Sequence, residues 1–196
     1  MPAIESELIT AGEDYRLRCE AMQKALDEFR AAEEQVAATE RGAKEKFVKR
    51  GKLLPRERID KLLDPGAPFL ELMSLAGRKM HDDRDGSTAG GGVISGIGYV
   101  GGIRCLVTAS NSAIKGGTIA PAGLHKSLRL LEIARQNKLP IVALAESGGA
   151  NLNYATDVFV DGARSFANQA RLSAHGIPQV TVVHGNATAG GAYQPG

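Results

Sequence analysis

The chain has 196 residues, 43% of them apolar and 23% charged, which suits a domain with a buried core and excludes a wholly disordered chain. The 24 basic and 22 acidic residues leave a net charge of +2, which gives no support to a nucleic acid or a membrane as partner. No apolar run reaches the ~18 residues of a membrane span. Two distant cysteines, and no secretory signal at Met1–Thr10, predict a cytoplasmic protein with reduced thiols.

The first predicted element is a helical extension over residues 1–50. Between Gly12 and Arg50 charged residues are dense, and apolar residues recur at helical spacing at Met22, Leu26, Phe29 and Val36. This pattern predicts a long amphipathic helix, which Gly42 divides in two. We expect its apolar stripe to cover the edge of a core or a neighbouring subunit.

The domain that follows, residues 51–196, begins with a short helix and a glycine-rich loop. Pro55 suits the first turn of a helix, and Asp64-Pro65-Gly66 ends it before an edge strand at Phe69–Leu72. Residues 77–92 are polar and contain His81 beside acidic residues. We interpret this segment as a loop without a metal, because a second ligand group is missing.

A β-hairpin and two crossover units are predicted next. Gly91–Val100 and Ile103–Ala109, joined at Gly101-Gly102, form the hairpin, with Cys105 as a core residue. Apolar periodicity then predicts helix, strand, helix and strand at Leu124–Lys138, Ile141–Gly149, Gly162–Ala174 and Gln179–His184. The last strands should be parallel, with their carboxyl ends at one edge of the sheet. One face of the second helix should pack on the sheet, closely because most of its residues are small; its residues, at helical spacing, are Ala163, Phe166, Ala167, Ala170 and Ala174.

Each of the last two strands ends in a glycine pair, and the second pair stands at the predicted start of a helix. Without a Cβ, the main-chain N–H groups of Gly148, Gly149, Ala150, Gly190 and Gly191 can approach a ligand closely. Fixed N–H donors stabilise a carbonyl oxygen that becomes negative, as when a thioester forms an enolate. The alternative is that the glycines only allow helices to pack tightly on strands. No G-x-S-x-G elbow, Walker loop or metal motif is present in the sequence.

Five ordered motifs between Arg50 and the end of the chain carry a family resemblance. They read GKLLPRERIDKLLDPGAPFLEL, IKGGT, ESGGANL, GIPQ and TAGGAYQP. Together they resemble the first half of the carboxyltransferase (β) subunit of biotin-dependent acyl-CoA carboxylases. KGGT and SGGANL are closer to methylcrotonyl-CoA and geranyl-CoA carboxylases than to propionyl-CoA carboxylases.

The resemblance implies an α/β, crotonase-like fold, a spiral of ββα units preceded by amphipathic helices, which binds acyl-CoA. In that family carboxybiotin releases CO2, the ureido nitrogen of biotin takes the α-proton, and the thioester enolate attacks CO2. The implied partners are a biotin carboxylase/biotin carrier (α) subunit, which holds the biotin, and other β subunits in a hexamer. Because the family's subunit is longer, we expect a chain that is incomplete at the carboxyl terminus and inactive alone.

Site residues follow from the resemblance, motif by motif. It implies that Gly190 and Gly191 donate N–H groups to the oxyanion, and that residues 148–150 form the facing loop around the thioester. It implies acyl-CoA contacts at Lys115, Gly116, Gly117, Thr118 and Asn151. Glu146 stands where many relatives have Asp, a departure without a predicted consequence.

Two other functions stay open from the residues. A crotonase-type hydratase or isomerase, or a biotin-dependent decarboxylase subunit, would share the fold; a hydratase needs acidic groups, and Glu146 is the only acid beside either glycine pair. Substituting Glu146 by Gln distinguishes a hydratase from a carboxyltransferase. A non-catalytic assembly fragment, acting through residues 1–50, is the alternative from another class.

Overall fold

The computed structural model describes residues 9–194. Two parts of the sequence lie outside it. Residues 1–8 belong to the predicted helical extension and to the segment searched for a secretory signal, and residues 195–196 include the last residue of the TAGGAYQP motif. Its helices are α1 Glu13–Gly42, α2 Lys44–Lys49, α3 Pro55–Leu62, α4 Pro121–Asn137 and α5 Ala155–Ala174. Its strands are β1 Leu70–Glu71, β2 Val93–Val100, β3 Ile103–Ser110, β4 Ile141–Ser147 and β5 Gln179–Ala187.

The strands form one sheet in the order β1-β2-β3-β4-β5. The pairs β1–β2 and β2–β3 are antiparallel, whereas the pairs β3–β4 and β4–β5 are parallel. This topology confirms the predicted hairpin, edge strand and crossovers. The hairpin turn places Gly101 and Gly102 at φ of 59° and 76°, a conformation that favours glycine. The Asp64 carboxylate accepts the N–H of both glycines at 2.7 Å and so fixes the turn to the end of α3.

The central strands β3 and β4 are buried on both faces, whereas β5 leaves Val180, Val182 and Val183 exposed. Leu106 packs with Leu130 of α4 and Leu172 of α5 on one face. Val107 packs with Ile59 of α3 on the other face, in the cluster that also contains Cys105, so the prediction of a core cysteine is confirmed. Strands covered on both faces are typical of parallel sheets.

Only the end of the helical extension packs on the domain. Division at Gly42 is confirmed, and Val36 is buried against Ala89 and Ile114. Residues 13–31 are exposed, including Met22 and Phe29 at 62% and 48%. Within the described residues, only the last part of the apolar stripe covers the core, as expected. The domain boundary at residue 50 stays a prediction.

The last two helices differ from the prediction in their start and in their buried face. Helix α4 begins at Pro121, three residues before the predicted start, because proline suits the first helical turn. Helix α5 begins at Ala155, before the predicted start at Gly162. The predicted packing of Ala163, Ala167, Ala170 and Ala174 on the sheet is wrong, because all four are exposed. Phe166 is half-buried against Tyr193 at a ring distance of 4.4 Å. The buried residues of α5 are Val158 and Leu172, which remove more apolar surface from water than alanine does.

No described helix is long and apolar enough to cross a membrane.

Candidate active site

Loops rich in glycine follow β3, β4 and β5 at one edge of the sheet. The loops after β4 and β5 are neighbours, because Ser147 pairs with Ala187. A Cβ on Gly191 would lie 2.9 Å from Ser147 Cβ, and one on Gly149 would lie 3.8 Å from Thr188 Cβ. The structure therefore brings the two predicted glycine pairs side by side.

The loop after β3 completes this group. Lys115–Gly117 forms a 3-10 turn, in which Gly116 and Gly117 have φ of 65° and 71°. A Cβ on Gly148 would lie 2.9 Å from Gly116 O and 3.2 Å from Thr118 Oγ1. The predicted entrance residues 115–118 therefore contact the loop that was predicted to surround the thioester.

Close packing explains some of the glycines and not others. It requires the absence of a side chain at Gly117, Gly148 and Gly191, where a Cβ would come within 3.0 Å of a neighbouring atom. At Gly190 the nearest atom to a Cβ is Phe166 Cζ at 3.4 Å, an ordinary contact, and the backbone is not left-handed. Packing alone therefore gives no reason for glycine at position 190.

The N–H groups of these loops are not all available to a ligand. Gly149 N–H donates to Ser147 Oγ at 3.1 Å, and Gly191 N–H donates to Thr188 O at 3.0 Å, so the expectation of free donors is wrong for these two. Within residues 9–194, no acceptor takes the N–H of Gly148, Ala150 or Gly190. These three groups can donate to a ligand oxygen.

The helix predicted after the second pair is a single 3-10 turn, Ala189–Ala192, in the described residues. A turn of this length does not sum enough peptide dipoles to place half a positive charge at its start. The electrostatic contribution expected from a helix end at Gly190 and Gly191 is therefore not provided by this turn.

The entrance loop faces the loop 77–92 across a small cavity. The cavity, about 40 Å³, is lined by Lys115 and Thr118 on one side and by His81 and Asp82 on the other. That volume admits about one water molecule and is too small for an acyl-CoA thioester. This cavity is therefore not the binding place of such a ligand.

Asn151, a predicted substrate contact, is tied to the loop 77–92. Its Nδ2 donates to Asp82 Oδ2 at 2.9 Å, and the Tyr154 hydroxyl donates to Asp82 Oδ1 at 2.8 Å. The hydrogen bond from Tyr154 lowers the pKa of Asp82. Sequence patterns assign Asp82 only to a polar loop and do not reveal its contacts with Asn151 and Tyr154.

Within the described residues no group of three His, Cys, Asp or Glu side chains could hold a metal ion.

Glu146 is a second residue whose importance was missed. Its carboxylate binds Lys52 Nζ and accepts a hydrogen bond from Ser112 Oγ at 2.8 Å. Burial raises its pKa, but the hydrogen bonds from Lys52 and Ser112 outweigh burial, and the net shift is downward. A hydratase needs an acid or base that faces the substrate, whereas this carboxylate is only 13% exposed and already paired with Lys52 and Ser112, which argues against the hydratase alternative.

Known proteins that are similar in sequence are acyl-CoA carboxylase subunits. The family model described as Carboxyl transferase domain matches residues 46–196. The chain is 51% identical over 156 residues to the biotin-dependent 3-methylcrotonyl-coenzyme A carboxylase beta1 subunit of Mycobacterium tuberculosis, over 78% of this chain and 29% of that protein. It is 43% identical to a probable mitochondrial methylcrotonoyl-CoA carboxylase beta chain of Drosophila melanogaster, over 98% of this chain and 34% of that protein.

Solved structures of carboxylase and transcarboxylase subunits share the fold of this chain. The beta subunit of geranyl-CoA carboxylase from P. aeruginosa matches with a TM-score of 0.91 and 66% identity, over 100% of this chain and 37% of that one. Transcarboxylase 12S matches with a TM-score of 0.75 and 26% identity, over 89% of this chain and 35% of that one. These matches confirm the expected α/β, crotonase-like fold. The chain spans about a third of the length of these relatives.

Proposed function

The chain belongs to the carboxyl transferase domain family, and from this premise we propose that it forms the acyl-CoA-binding side of a carboxyltransferase site. The reaction transfers a carboxyl group from carboxybiotin to the acyl carbon that loses a proton, which is the α-carbon of a saturated acyl-CoA thioester and the γ-carbon of an α,β-unsaturated one. One observation carries the proposal. The carboxyl ends of two neighbouring parallel strands, β4 and β5, carry N–H groups that no acceptor within residues 9–194 takes, at Gly148 and Ala150 on one loop and at Gly190 on the next.

The main-chain donors bind the thioester oxygen in the proposed reaction. Gly148 and Ala150 donate from one side and Gly190 from the other, in place of the five donors expected from the sequence. When that carbon loses its proton, the thioester oxygen becomes negative, and donors already fixed by the fold stabilise it without reorganisation. Carboxybiotin, when bound, supplies the carboxyl group and the base.

The entrance loop orients the CoA moiety in this proposal. Lys115 is exposed and carries a positive charge that suits the CoA phosphates. Thr118 Oγ1 donates to Lys115 O at 2.8 Å, which holds the turn in shape beside Gly148. Gly116 and Asn151 complete the surface around the thioester, and the buried Gly117 supports it from behind.

Partners and substrates are proposed from the names of the relatives. Methylcrotonyl-CoA and geranyl-CoA carboxylases suggest a branched, unsaturated acyl group, and the biotin is proposed to arrive on a separate α subunit. The transcarboxylase 12S structure is described as a hexamer assembly, which supports oligomers of this subunit. We retain the cytoplasm as the proposed location because both cysteines are free, although some relatives are named mitochondrial.

Calorimetric titration of the chain tests the proposal. We expect 3-methylcrotonyl-CoA or geranyl-CoA to bind more tightly than CoA without an acyl group, because only the thioester presents an oxygen to the three donors. Circular dichroism confirms that the titrated protein is folded. A folded chain that binds acyl-CoA no better than free CoA would contradict the proposal.

A further inference from the structure

The Glu146 side chain joins three segments that are distant in sequence. It lies at the carboxyl end of β4, and its partners are Lys52 from the linker before α3, Ser112 from the loop after β3, and His184 from β5. Ser112 Oγ donates to Oε2 at 2.8 Å, and His184 Nδ1 lies 3.6 Å from Oε2. The Glu146 side chain is only 13% exposed. These contacts fix the carboxylate in one place.

The main chain of Glu146 holds the same loop. Its N–H donates to Ser110 Oγ at 3.2 Å, and its carbonyl oxygen lies 2.8 Å from where a Cβ on Gly117 would be. Gly116 O in turn lies 2.9 Å from a Cβ placed on Gly148. The loop 110–118 is therefore held between Glu146 and Gly148.

Gly185 provides the room that the glutamate needs. A Cβ at this position would lie 2.5 Å from Glu146 Cδ and 2.6 Å from Glu146 Cγ. The backbone of Gly185 is not left-handed, so no conformational requirement explains the glycine. Glycine at position 185 therefore leaves the space that the long side chain of Glu146 occupies.

The charges around the carboxylate favour its ionised form. Lys52 pairs with it directly, and Arg58 and His184 are the other basic groups nearby. Burial and the Arg58 charge lower the pKa of His184, so the imidazole is neutral at pH 7 and Lys52 is the cation that balances Glu146. Loss of the carboxylate would leave Lys52 without that partner.

We propose that Glu146 is a positioning residue for the acyl-CoA site, which holds the loop 110–118 against Gly148 in the space left by Gly185. The effect of Glu146 on catalysis rests on the proposed function. Its role in holding the loop 110–118 against Gly148 does not depend on that function. Glu146 touches no substrate in this proposal. It acts by keeping the N–H groups of Gly148 and Ala150 at a fixed distance from the entrance turn.

Two amides report directly on this link. Ile119 N–H donates to Gly149 O at 2.9 Å, and Asn151 N–H donates to Ile119 O at 2.8 Å, so both hydrogen bonds join the two loops. In the full chain, Glu146→Gln should speed hydrogen exchange at these amides by roughly tenfold or more, because a charged hydrogen-bond partner is lost. Exchange in the centre of α4 should not change.

The matched control is Glu132→Gln, which removes an exposed carboxylate paired with Arg129 on α4. It should leave the Ile119 and Asn151 amides unaffected. Exchange at these amides that is the same in Glu146→Gln as in Glu132→Gln would overturn the proposal.

A second pair of variants tests the match between positions 146 and 185. Gly185→Ala should speed exchange at Ile119 and Asn151, and adding Glu146→Asp should slow it again, because the shorter acid vacates the space that the new Cβ needs. A double variant no better protected than Gly185→Ala would also overturn the proposal. This pair decides the question if Glu146→Gln fails to fold.

Titration with 3-methylcrotonyl-CoA separates this inference from the proposed function. Failure of the wild-type chain to bind acyl-CoA would reject the function and leave the exchange results intact as a test of positioning. If wild type binds, Glu146→Gln should weaken binding about tenfold while the double variant Gly185→Ala/Glu146→Asp binds more tightly than Gly185→Ala alone.

Discussion

Substituting Gly148 by Ala tests the contact between the two loops that form the candidate site. The backbone of Gly148 is not left-handed, so alanine meets no conformational penalty there. Its Cβ would lie 2.9 Å from Gly116 O, closer than real Cβ contacts come, and 3.2 Å from Thr118 Oγ1, which is tight. Because Gly116 O belongs to the main chain, relief requires a shift of the entrance turn.

The expected cost is that of inserting one methyl group into a packed site, about 1–3 kcal/mol of unfolding free energy. For a chain of this size that corresponds to a fall in Tm of about 2–12 °C. Thermal denaturation followed by circular dichroism measures the fall, and titration with 3-methylcrotonyl-CoA should show weaker binding.

Gly162→Ala is the matched control for this experiment. Position 162 lies in α5 with no atom within 4 Å of a Cβ, so alanine should raise stability by about 0.5–1 kcal/mol through its helix propensity. A Gly148→Ala variant as stable as wild type, with unchanged affinity, would refute the packing argument.

The remaining predictions concern one donor and one buried lysine. Gly190→Ala should leave Tm within about 2 °C of wild type, because the new Cβ has room, and should weaken binding of acyl-CoA, because the Cβ crowds the N–H of residue 190. A variant that loses stability together with affinity would contradict this prediction. Burial lowers the pKa of Lys126 to about 8, and its Nζ donates to Gly90 O and Val93 O. The folded state therefore binds fewer protons than the unfolded state between about pH 8 and 10.5, and stability should rise with pH in that window. Denaturant unfolding should show this slope in wild type and lose it in Lys126→Met; a slope that persists in the variant would exclude Lys126 as its cause.

Local patterns in the sequence were sufficient for most of the fold. The glycine turn between two β-branched runs predicted the hairpin, and the spacing of helix and strand predicted parallel β4 and β5. Parallel strands then placed Gly148 and Gly190 at one edge without any knowledge of distances. These features depend on residues that are close in sequence.

Features that depend on distant residues were missed. Lys52 and Glu146 are 94 positions apart, and neither position alone indicates an ion pair. The predicted packing of the alanines of α5 failed because small size permits close packing but does not drive it, whereas burial of Leu172 does. The occupied N–H groups of Gly149 and Gly191 depend on the rotamer of Ser147 and on a local turn, which a motif does not specify.

Amide chemical shifts in a ¹⁵N-labelled chain test the central claim most directly. The ligand is a CoA derivative whose acyl group carries a nitronate, a stable anion with the charge distribution of an enolate. We predict large shifts and slower exchange at Gly148, Ala150 and Gly190, and little change at Gly149 and Gly191, whose N–H groups are already bonded within the protein. Binding of the nitronate with shifts confined to other amides would contradict the account.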